Sequence, residues 1–204
     1  MALRLHGIVN TETHAEAPLN GATLIPFRDL AAVVTDQQQF TLADAAPADV
    51  EGHRTVVDAL FRRGTVLPAP VGVLFRSPDV LLRWMELHYV ALSDALEFVD
   101  DRVVARVHTE RAGGKDEERE AGADLAAAAA EAFRALRRRS VAAVPLRLEK
   151  VTGLVLSAAF LVDKELWKEF VAAVDEQRET HHMLQFDLTG PWAPYDFVRM
   201  QFGG

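Results

Sequence analysis

Stretches in which apolar residues alternate with polar ones, together with short apolar runs, predict the strands of this chain. The final strand has the clearest pattern, because Leu184, Phe186 and Leu188 alternate with polar residues. Gly190-Pro191 follows and predicts a turn, so the last residues are expected to form a hairpin with aromatic side chains. The other predicted strands are Leu3–Val9, Ala22–Ile25, Ala31–Thr35, Thr65–Phe75, Val103–His108, Val141–Leu148 and the almost wholly apolar Gly153–Val162.

Apolar residues at intervals of three and four predict helices between these strands. The second helix is the strongest, beginning at Ser77-Pro78 and closing at Asp100-Asp101. Its predicted stripe comprises Leu81, Trp84, Met85, His88, Tyr89, Leu92 and Leu96. Asp49 and Asp163 can cap the first and last helices, and helix propensity predicts another from Ala126 to Leu136.

This order of elements predicts an α+β fold with two small mixed-sheet subdomains, each carrying helices on one face. The segment from Arg111 to Ala123 contains Gly113-Gly114 and many charges, which favours a boundary there. We therefore expect an N-terminal α+β domain at 1–110. A C-terminal α+β domain with a long linking helix is expected at 111–204.

Composition narrows the class of protein. The chain has 204 residues, half of them hydrophobic and a quarter charged, as in globular proteins that bury a sizeable core. It contains no cysteine, which excludes disulfides and thiolate chemistry. The net charge of −8 argues against nucleic-acid binding, and the chain has no apolar run long enough to span a lipid membrane. A cytoplasmic location is expected.

Motifs that carry catalysis or cofactor binding are missing from the sequence. There is no dinucleotide-binding glycine pattern, phosphate-binding loop or nucleophile elbow. The adjacent His181-His182 pair is interpreted as a surface pair, since neighbouring side chains do not face one ligand well. We therefore predict no catalytic residue, cofactor or metal. The alternative is a small-molecule-binding or enzymatic domain that uses His53, His88 or His108 in a cleft between the halves.

Two groups of residues are candidates for partner binding. Arg134, Arg137 and Arg138, followed by Arg139, form a basic patch on an acidic protein. Such a patch suits either a helix C-terminus or an acidic partner. The second group is Trp192, Tyr195 and Phe197, aromatic residues that would anchor an interface if exposed and belong to the core if buried. An exposed sheet edge is a further possible contact.

The tail Leu188-Thr189-Gly190-Pro191-Trp192-Ala193-Pro194-Tyr195-Asp196-Phe197-Val198 resembles the ending of the GvpF/GvpL family of gas vesicle proteins. Two further segments, His53–Phe75 and Leu156–Asp163, fit that family in order and position. The run from Pro68 to Phe75 lacks the basic residue that the family usually has before the glycine.

This resemblance implies two domains of modified ferredoxin-like type and a non-enzymatic role in gas vesicle assembly. The implied role is that of an accessory or minor structural protein, associated with the gas vesicle. The resemblance also implies that the protein acts as an adaptor or chaperone. Its implied partners are the major hydrophobic shell protein and other accessory proteins.

Overall fold

The computed structural model describes residues 2–14, 21–37, 46–112, 122–146 and 154–198. The boundary predicted from Arg111 to Ala123 falls mostly outside these ranges. The helices of the described residues are α1 (Pro47–Phe61), α2 (Pro78–Val99), α3 (Gly122–Arg137) and α4 (Trp167–Thr180). Their strands are β1 (Ala2–Asn10), β2 (Thr23–Phe27), β3 (Leu30–Gln37), β4 (Val66–Pro68), β5 (Leu74–Phe75), β6 (Arg102–Arg111), β7 (Ala142–Pro145), β8 (Leu154–Asp163) and β9 (Leu184–Trp192).

Backbone contacts group the chain into two compact units. Unit 1 comprises Met1–Asp101 together with Ala193–Gly204, and unit 2 comprises Arg102–Trp192. Each unit has its own sheet, with helices packed against it, so the predicted α+β class is confirmed. The predicted division after residue 110 differs from this grouping, which assigns β6 to the second unit and the tail to the first.

The sheet of unit 1 has the order β2-β3-β1-β4, with β5 also pairing β1. The pairing of β1 with β3 is irregular between Leu5 and Gly7, which leaves His6 at a bulge. At Gly7 the backbones of β1 and β4 lie very close, because a Cβ there would be 2.7 Å from the carbonyl oxygen of Leu67. Glycine is therefore required at this position.

The two helices of unit 1 lie on opposite faces of its sheet. Neighbouring residues of β3 separate into two clusters, since Ala32 belongs to the core beneath α2 and Ala31 to the core beneath α1. The α2 core includes Leu5, Leu81 and Met85, whereas Val57 and Leu60 anchor α1 on the other side. The expected arrangement of helices on one face therefore does not apply to unit 1, where the strands are apolar on both sides.

Helix beginnings were predicted with mixed success. The start of α2 is confirmed, with Ser77 as N-cap accepting the backbone N–H of Val80 and Pro78 in the first turn. The prediction for α1 was wrong, because Ala46 occupies the N-cap and Asp49 lies in the first turn. The Asp49 carboxylate accepts the Ala46 N–H at 3.3 Å and pairs with the Arg4 guanidinium at 2.7 Å. Asp163 likewise makes no capping bond and instead pairs with Arg102.

Unit 2 has a sheet of order β7-β8-β6-β9 with α3 and α4 on the same face. Phe160 of β8 demonstrates this, because its ring centroid lies 5.6 Å from that of Phe133 on α3 and 5.4 Å from that of Phe170 on α4. β8 is central, as its apolar sequence predicted. All strand pairs in the described parts of both sheets are antiparallel. The sheets there are therefore purely antiparallel, whereas mixed sheets were expected from the sequence.

The tail does not form the predicted hairpin. β9 continues through Gly190-Pro191 to Trp192, and a 3-10 turn at Tyr195–Phe197 follows in place of a second strand. The register explains how a proline fits within a strand: Arg106 pairs with Thr189 and Val104 with Trp192, so two residues of β9 stand opposite one of β6. Gly190-Pro191 is therefore a bulge on an edge strand.

Candidate partner-binding surfaces

The described residues contain no group of three or more histidine, aspartate or glutamate side chains placed to hold a metal ion. An apolar crevice in unit 2 lies between α3 and the sheet, beside Val107, Phe133 and Phe186. It is too narrow to admit a water molecule. Neither observation provides a site for small-molecule chemistry.

The three candidate histidines have different surroundings. His53 belongs to α1 and is buried at the seam with the sheet, whereas His88 lies on α2, stacked on Trp84 with ring centroids 5.1 Å apart. Because α1 and α2 cover opposite faces of one sheet, these two side chains do not share a cleft within unit 1. His108 lies on β6 in unit 2, where its Nδ1 is 2.8 Å from the hydroxyl oxygen of Ser157.

A buried polar cluster lies beneath α1. His6 and His53 are almost fully buried, and their ring centroids are 5.1 Å apart. Burial, with smaller contributions from the charges of His53 and Arg4, lowers the pKa of His6 from 6.5 to about 4. Burial also lowers the pKa of His53. The hydrogen bond from Arg4 lowers the pKa of Asp49, so the cluster contains neutral imidazoles beside one ion pair. Sequence reasoning missed this cluster because His6 and His53 belong to distant segments.

The aromatic residues of the tail occupy different environments. Trp192 ends β9 in unit 2, with 41% of its surface exposed and its indole N–H donating to the Thr189 hydroxyl at 3.2 Å. Tyr195 and Phe197 are half-buried in unit 1. The Tyr195 ring packs against the core beneath α1, with its centroid 6.4 Å from that of His53. Of these three residues, only Trp192 is exposed.

Trp192 belongs to a small apolar surface of unit 2 that we call the tryptophan patch, formed by Trp167, Gly190, Pro191 and Trp192. Both indoles flank Gly190: a Cβ on that residue would be 3.2 Å from Trp167 and 3.4 Å from Trp192. Gly190 and Pro191 are exposed and Trp167 is half-buried. The bulge thus places two indoles beside an exposed proline, with the Trp192 N–H already bonded within the chain.

The candidate arginines form an exposed group at the C-terminal end of α3. Arg134 and Arg137 lie in the last turn, and Arg138 continues it by donating its N–H to the carbonyl of Arg134 at 3.3 Å. All three side chains, with that of Arg139, are exposed. Their position suits the negative end of the helix dipole and leaves the guanidinium groups accessible to an acidic partner.

The outward side of α2 is a feature that sequence reasoning missed. Leu87 and Val90 lie outside the stripe predicted for this helix, and they are 82% and 69% exposed. Their signal was present in the sequence, because a surface helix normally has polar residues on its outer side.

None of the helices in the described part of the chain combines the length and apolar content needed to cross a lipid bilayer. The fold and its surfaces define a two-unit α+β protein, with antiparallel sheets and with aromatic and arginine groups exposed at the ends of its elements. The family model of the gas vesicle synthesis protein GvpL/GvpF matches residues 5–109 and 104–199. The chain therefore belongs to the GvpL/GvpF family, and its role lies in gas vesicle assembly.

The chain resembles both F-type and L-type gas vesicle proteins. It is 29% identical to gas vesicle protein F2 of Halobacterium salinarum over 185 residues, covering 89% of this chain and 82% of the relative. It is 30% identical to gas vesicle protein L of a Streptomyces species over 193 residues, covering 77% and 70%. The percent identity to an F protein and to an L protein is thus nearly equal, and the F protein aligns over a larger share of the chain.

Solved structures share the fold. The crystal structure of GvpF from Anabaena sp. PCC7120 superposes with a TM-score of 0.81 at 14% identity, covering 100% of this chain and 98% of that one. GvpF from Microcystis aeruginosa gives a TM-score of 0.77 at 13% identity, covering 98% and 99%.

Proposed function

We propose that this protein is an accessory or minor structural protein of gas vesicle assembly, acting as an adaptor or chaperone. Its proposed partners are the major hydrophobic shell protein and other accessory proteins, and its proposed location is cytoplasmic and associated with the gas vesicle. The observation that carries the proposal is the tryptophan patch, where Trp192 is exposed on an edge strand.

The physical argument begins with the shell subunit. A polypeptide with a large apolar face aggregates unless another protein covers that face before it joins the growing shell. Exposed indoles supply large apolar contacts at a small loss of side-chain freedom, and tryptophan is enriched among the residues that dominate binding energy. Pro191 and the bulge fix the patch in place, which reduces the ordering cost of association.

The arginine group at the end of α3 supports a second mode of contact. Arg134, Arg137 and Arg138 would bind an acidic segment of an accessory protein through charge-assisted hydrogen bonds. Such a contact weakens at high salt, whereas an apolar contact at the tryptophan patch does not. Salt therefore separates the two modes.

We propose a non-enzymatic role. An adaptor needs only surface contacts with its partners. His53 lies on α1 and His88 on α2, and these helices cover opposite faces of one sheet. A histidine-containing cleft is accordingly not favoured.

The test is co-expression with the major gas vesicle shell protein, followed by affinity capture of this chain at moderate and high salt. Trp192→Ala should reduce the captured shell protein by about tenfold at both salt concentrations. Val141→Ala is the matched control, because Val141 is an exposed apolar residue of unit 2 outside the patch (42% exposed).

Three other outcomes would change the assignment. Equal capture by Trp192→Ala and wild type would remove the tryptophan patch from the interface. Loss of capture at high salt, reproduced by Arg137→Glu with Arg138→Glu, would transfer binding to the arginine group. No capture at either salt, with shell protein present and soluble, would overturn direct shell binding and direct the search to other accessory proteins.

A further inference from the structure

The outward face of α2 in unit 1 exposes a long apolar surface. Val80, Leu87, Val90 and Phe98 are 47%, 82%, 69% and 41% exposed. Ala91 lies between them and is also exposed. These residues form what we call the outer stripe of α2.

Helical periodicity places these residues in a row. At about 100° per residue, Val80, Leu87, Ala91 and Phe98 fall within about 20° of one line. Val90 lies about 80° to one side of this line, beyond the exposed charged residues Asp94 and Arg83 at about 40° and 60°. With about 1.5 Å of rise per residue, the row from Val80 to Phe98 is about 27 Å long. This length corresponds to five helical turns, enough to receive another helix along its whole side.

The outer stripe is not needed to hold α2 on its own sheet. Leu81, Met85, Leu92 and Leu96 already bury the opposite side of the helix in the core of unit 1. Leucine and valine side chains as exposed as Leu87 and Val90 contribute little to the free energy of folding. A surface helix that is apolar on both sides is typical of an element with a partner on each side.

A row of carboxylates borders one side of the outer stripe. Asp79, Glu86 and Glu97 fall within about 20° of one another on the helix, just beyond Val90. All three are exposed, and no ion pair involves any of them among the described residues. Exposed Asp94 and Arg83 lie between this row and the line from Val80 to Phe98, and Arg83 is the single basic residue of α2. The border is therefore an acidic rim.

The opposite border has no acidic residue. It is formed by Trp84 and His88, whose rings are stacked and half-buried, and by Ala95. A partner that fits this face must therefore be apolar at its centre and basic along one side only.

We propose that the outer stripe of α2 docks an amphipathic helix of another polypeptide, whose apolar stripe is bordered by a row of lysine or arginine residues. The apolar side chains supply the buried area, and the acidic rim selects the basic side and fixes the direction of the helix. The proposal does not depend on the tryptophan patch, which belongs to the other unit.

A second copy of this chain fits the surface less well. In a two-fold antiparallel pairing of two α2 helices, each border faces its own equivalent, which brings Asp79 opposite Glu97. In a parallel pairing the acidic rim would face the Trp84 border. Neither arrangement supplies counter-charges, because α2 has only Arg83 to offer.

The test uses the full chain and two synthetic helical peptides, followed by fluorescence anisotropy. One peptide has a leucine stripe bordered on one side by lysines, and its twin has glutamates at those lysine positions. At low salt the lysine peptide should bind at least about tenfold more tightly than the glutamate peptide. Leu87→Ser with Val90→Ser should weaken its binding by at least about tenfold, and circular dichroism should show unchanged helicity.

Charge reversal and controls make the test specific. Glu86→Lys with Glu97→Lys should reverse the preference, so that the glutamate peptide binds more tightly. Val50→Ser alters an exposed valine of α1 (44% exposed) and should leave binding unchanged, as should Trp192→Ala in the other unit.

Equal affinity for the two peptides, or undiminished binding by the Leu87→Ser, Val90→Ser variant, would overturn the proposal. Self-association of the chain that this variant abolishes would also overturn it and assign the surface to a second copy.

Discussion

The guanidinium carbon of Arg28 lies 4.5 Å from the centre of the Tyr89 ring, which joins the turn between β2 and β3 to α2. The Tyr89 hydroxyl donates to the carboxylate of Asp29 at 2.6 Å, so both residues of the turn contact one side chain. Arg28 has a φ of +57°, a backbone conformation that disfavours most residues. The contacts with Tyr89 help to hold this turn in its conformation.

Replacement of Tyr89 tests these contacts in two steps. Tyr89→Phe keeps the ring beneath Arg28 and removes the hydrogen bond, which should lower the free energy of unfolding by about 0.5–1.5 kcal/mol. Tyr89→Leu removes the cation–π contact as well and should cost about 0.5–1 kcal/mol more. Urea unfolding of both variants measures the difference.

The matched control is Arg28→Ala in the same two backgrounds. If the ring contact contributes, Tyr89→Leu should cost less in the Arg28→Ala background than in the wild type. Equal costs in both backgrounds would mean that the ring and the guanidinium do not interact energetically.

Local sequence signals predicted most helices and strands of the fold. They did not predict which residues distant in the sequence lie next to each other. The start of α2 at Ser77-Pro78 and its buried side from Leu81 to Leu96 follow from capping and periodicity alone. The pairing of His6 with His53 depends on which strand lies beneath α1, and no nearby residue reports it. The tail shows the same limit: Gly190-Pro191 is a turn signal locally, but β6 pairs with the residues on both sides of it.

The residue types of the candidate binding surfaces were predictable from the sequence, but their exposure was not. Trp192 and Tyr195 are both aromatic and close in sequence, but the chain enters unit 1 between them, where Tyr195 is half-buried against the core beneath α1 while Trp192 stays exposed. The residues of the outer stripe of α2 were visible in the sequence as apolar positions outside the predicted buried stripe, yet periodicity alone does not tell which side faces the sheet. Burial had to be observed before Leu87 and Val90 could be separated from the core.

The buried histidines predict a pH dependence of stability. The pKa of His6 is about 4 in the folded chain and about 6.5 when the chain unfolds. Between these values the unfolded chain binds the extra proton, so the free energy of unfolding should fall as pH decreases from 6.5 towards 4. The lowered pKa of His53 acts in the same direction. Urea unfolding between pH 7.5 and 4.5 measures the slope.

His53→Gln should make this slope shallower, since it removes one titrating imidazole and its charge beside His6. His182→Gln replaces an exposed histidine of the other unit and should leave the slope unchanged. The lowered pKa of Asp49 affects a separate range, because its stabilising effect disappears only as pH falls below about 3.8. An identical slope in His53→Gln and wild type would contradict this account.

The aromatic core of unit 2 predicts a large effect at Phe160. Phe160 is 1% exposed, and its ring lies between those of Phe133 and Phe170. Phe160→Ala should lower the free energy of unfolding by about 3–5 kcal/mol, because it leaves a cavity between two helices and the sheet. Phe98→Ala is the control, since Phe98 is 41% exposed, and its expected cost is about 1 kcal/mol or less. Similar costs for the two variants would contradict the assigned core.

Two glycines with opposite surroundings give the last prediction. Gly190 has a φ of +129°, and a Cβ there would be 2.6 Å from the carbonyl oxygen of Val104. Gly190→Ala should therefore lower the free energy of unfolding by about 1–3 kcal/mol. Gly52 lies exposed within α1, and outside its chain neighbours and its own helix backbone no atom lies within 4 Å of its Cβ position, so Gly52→Ala should raise the free energy of unfolding by about 0.5–1 kcal/mol.

Urea unfolding of both glycine variants at one pH provides the comparison. The signs should be opposite, since the same added methyl group meets backbone in one case and open space in a helix in the other. If Gly190→Ala were as stable as the wild type, β9 could not make the close approach to β6 that defines the bulge. The tryptophan patch would then lose its geometric basis, because both indoles are positioned around Gly190.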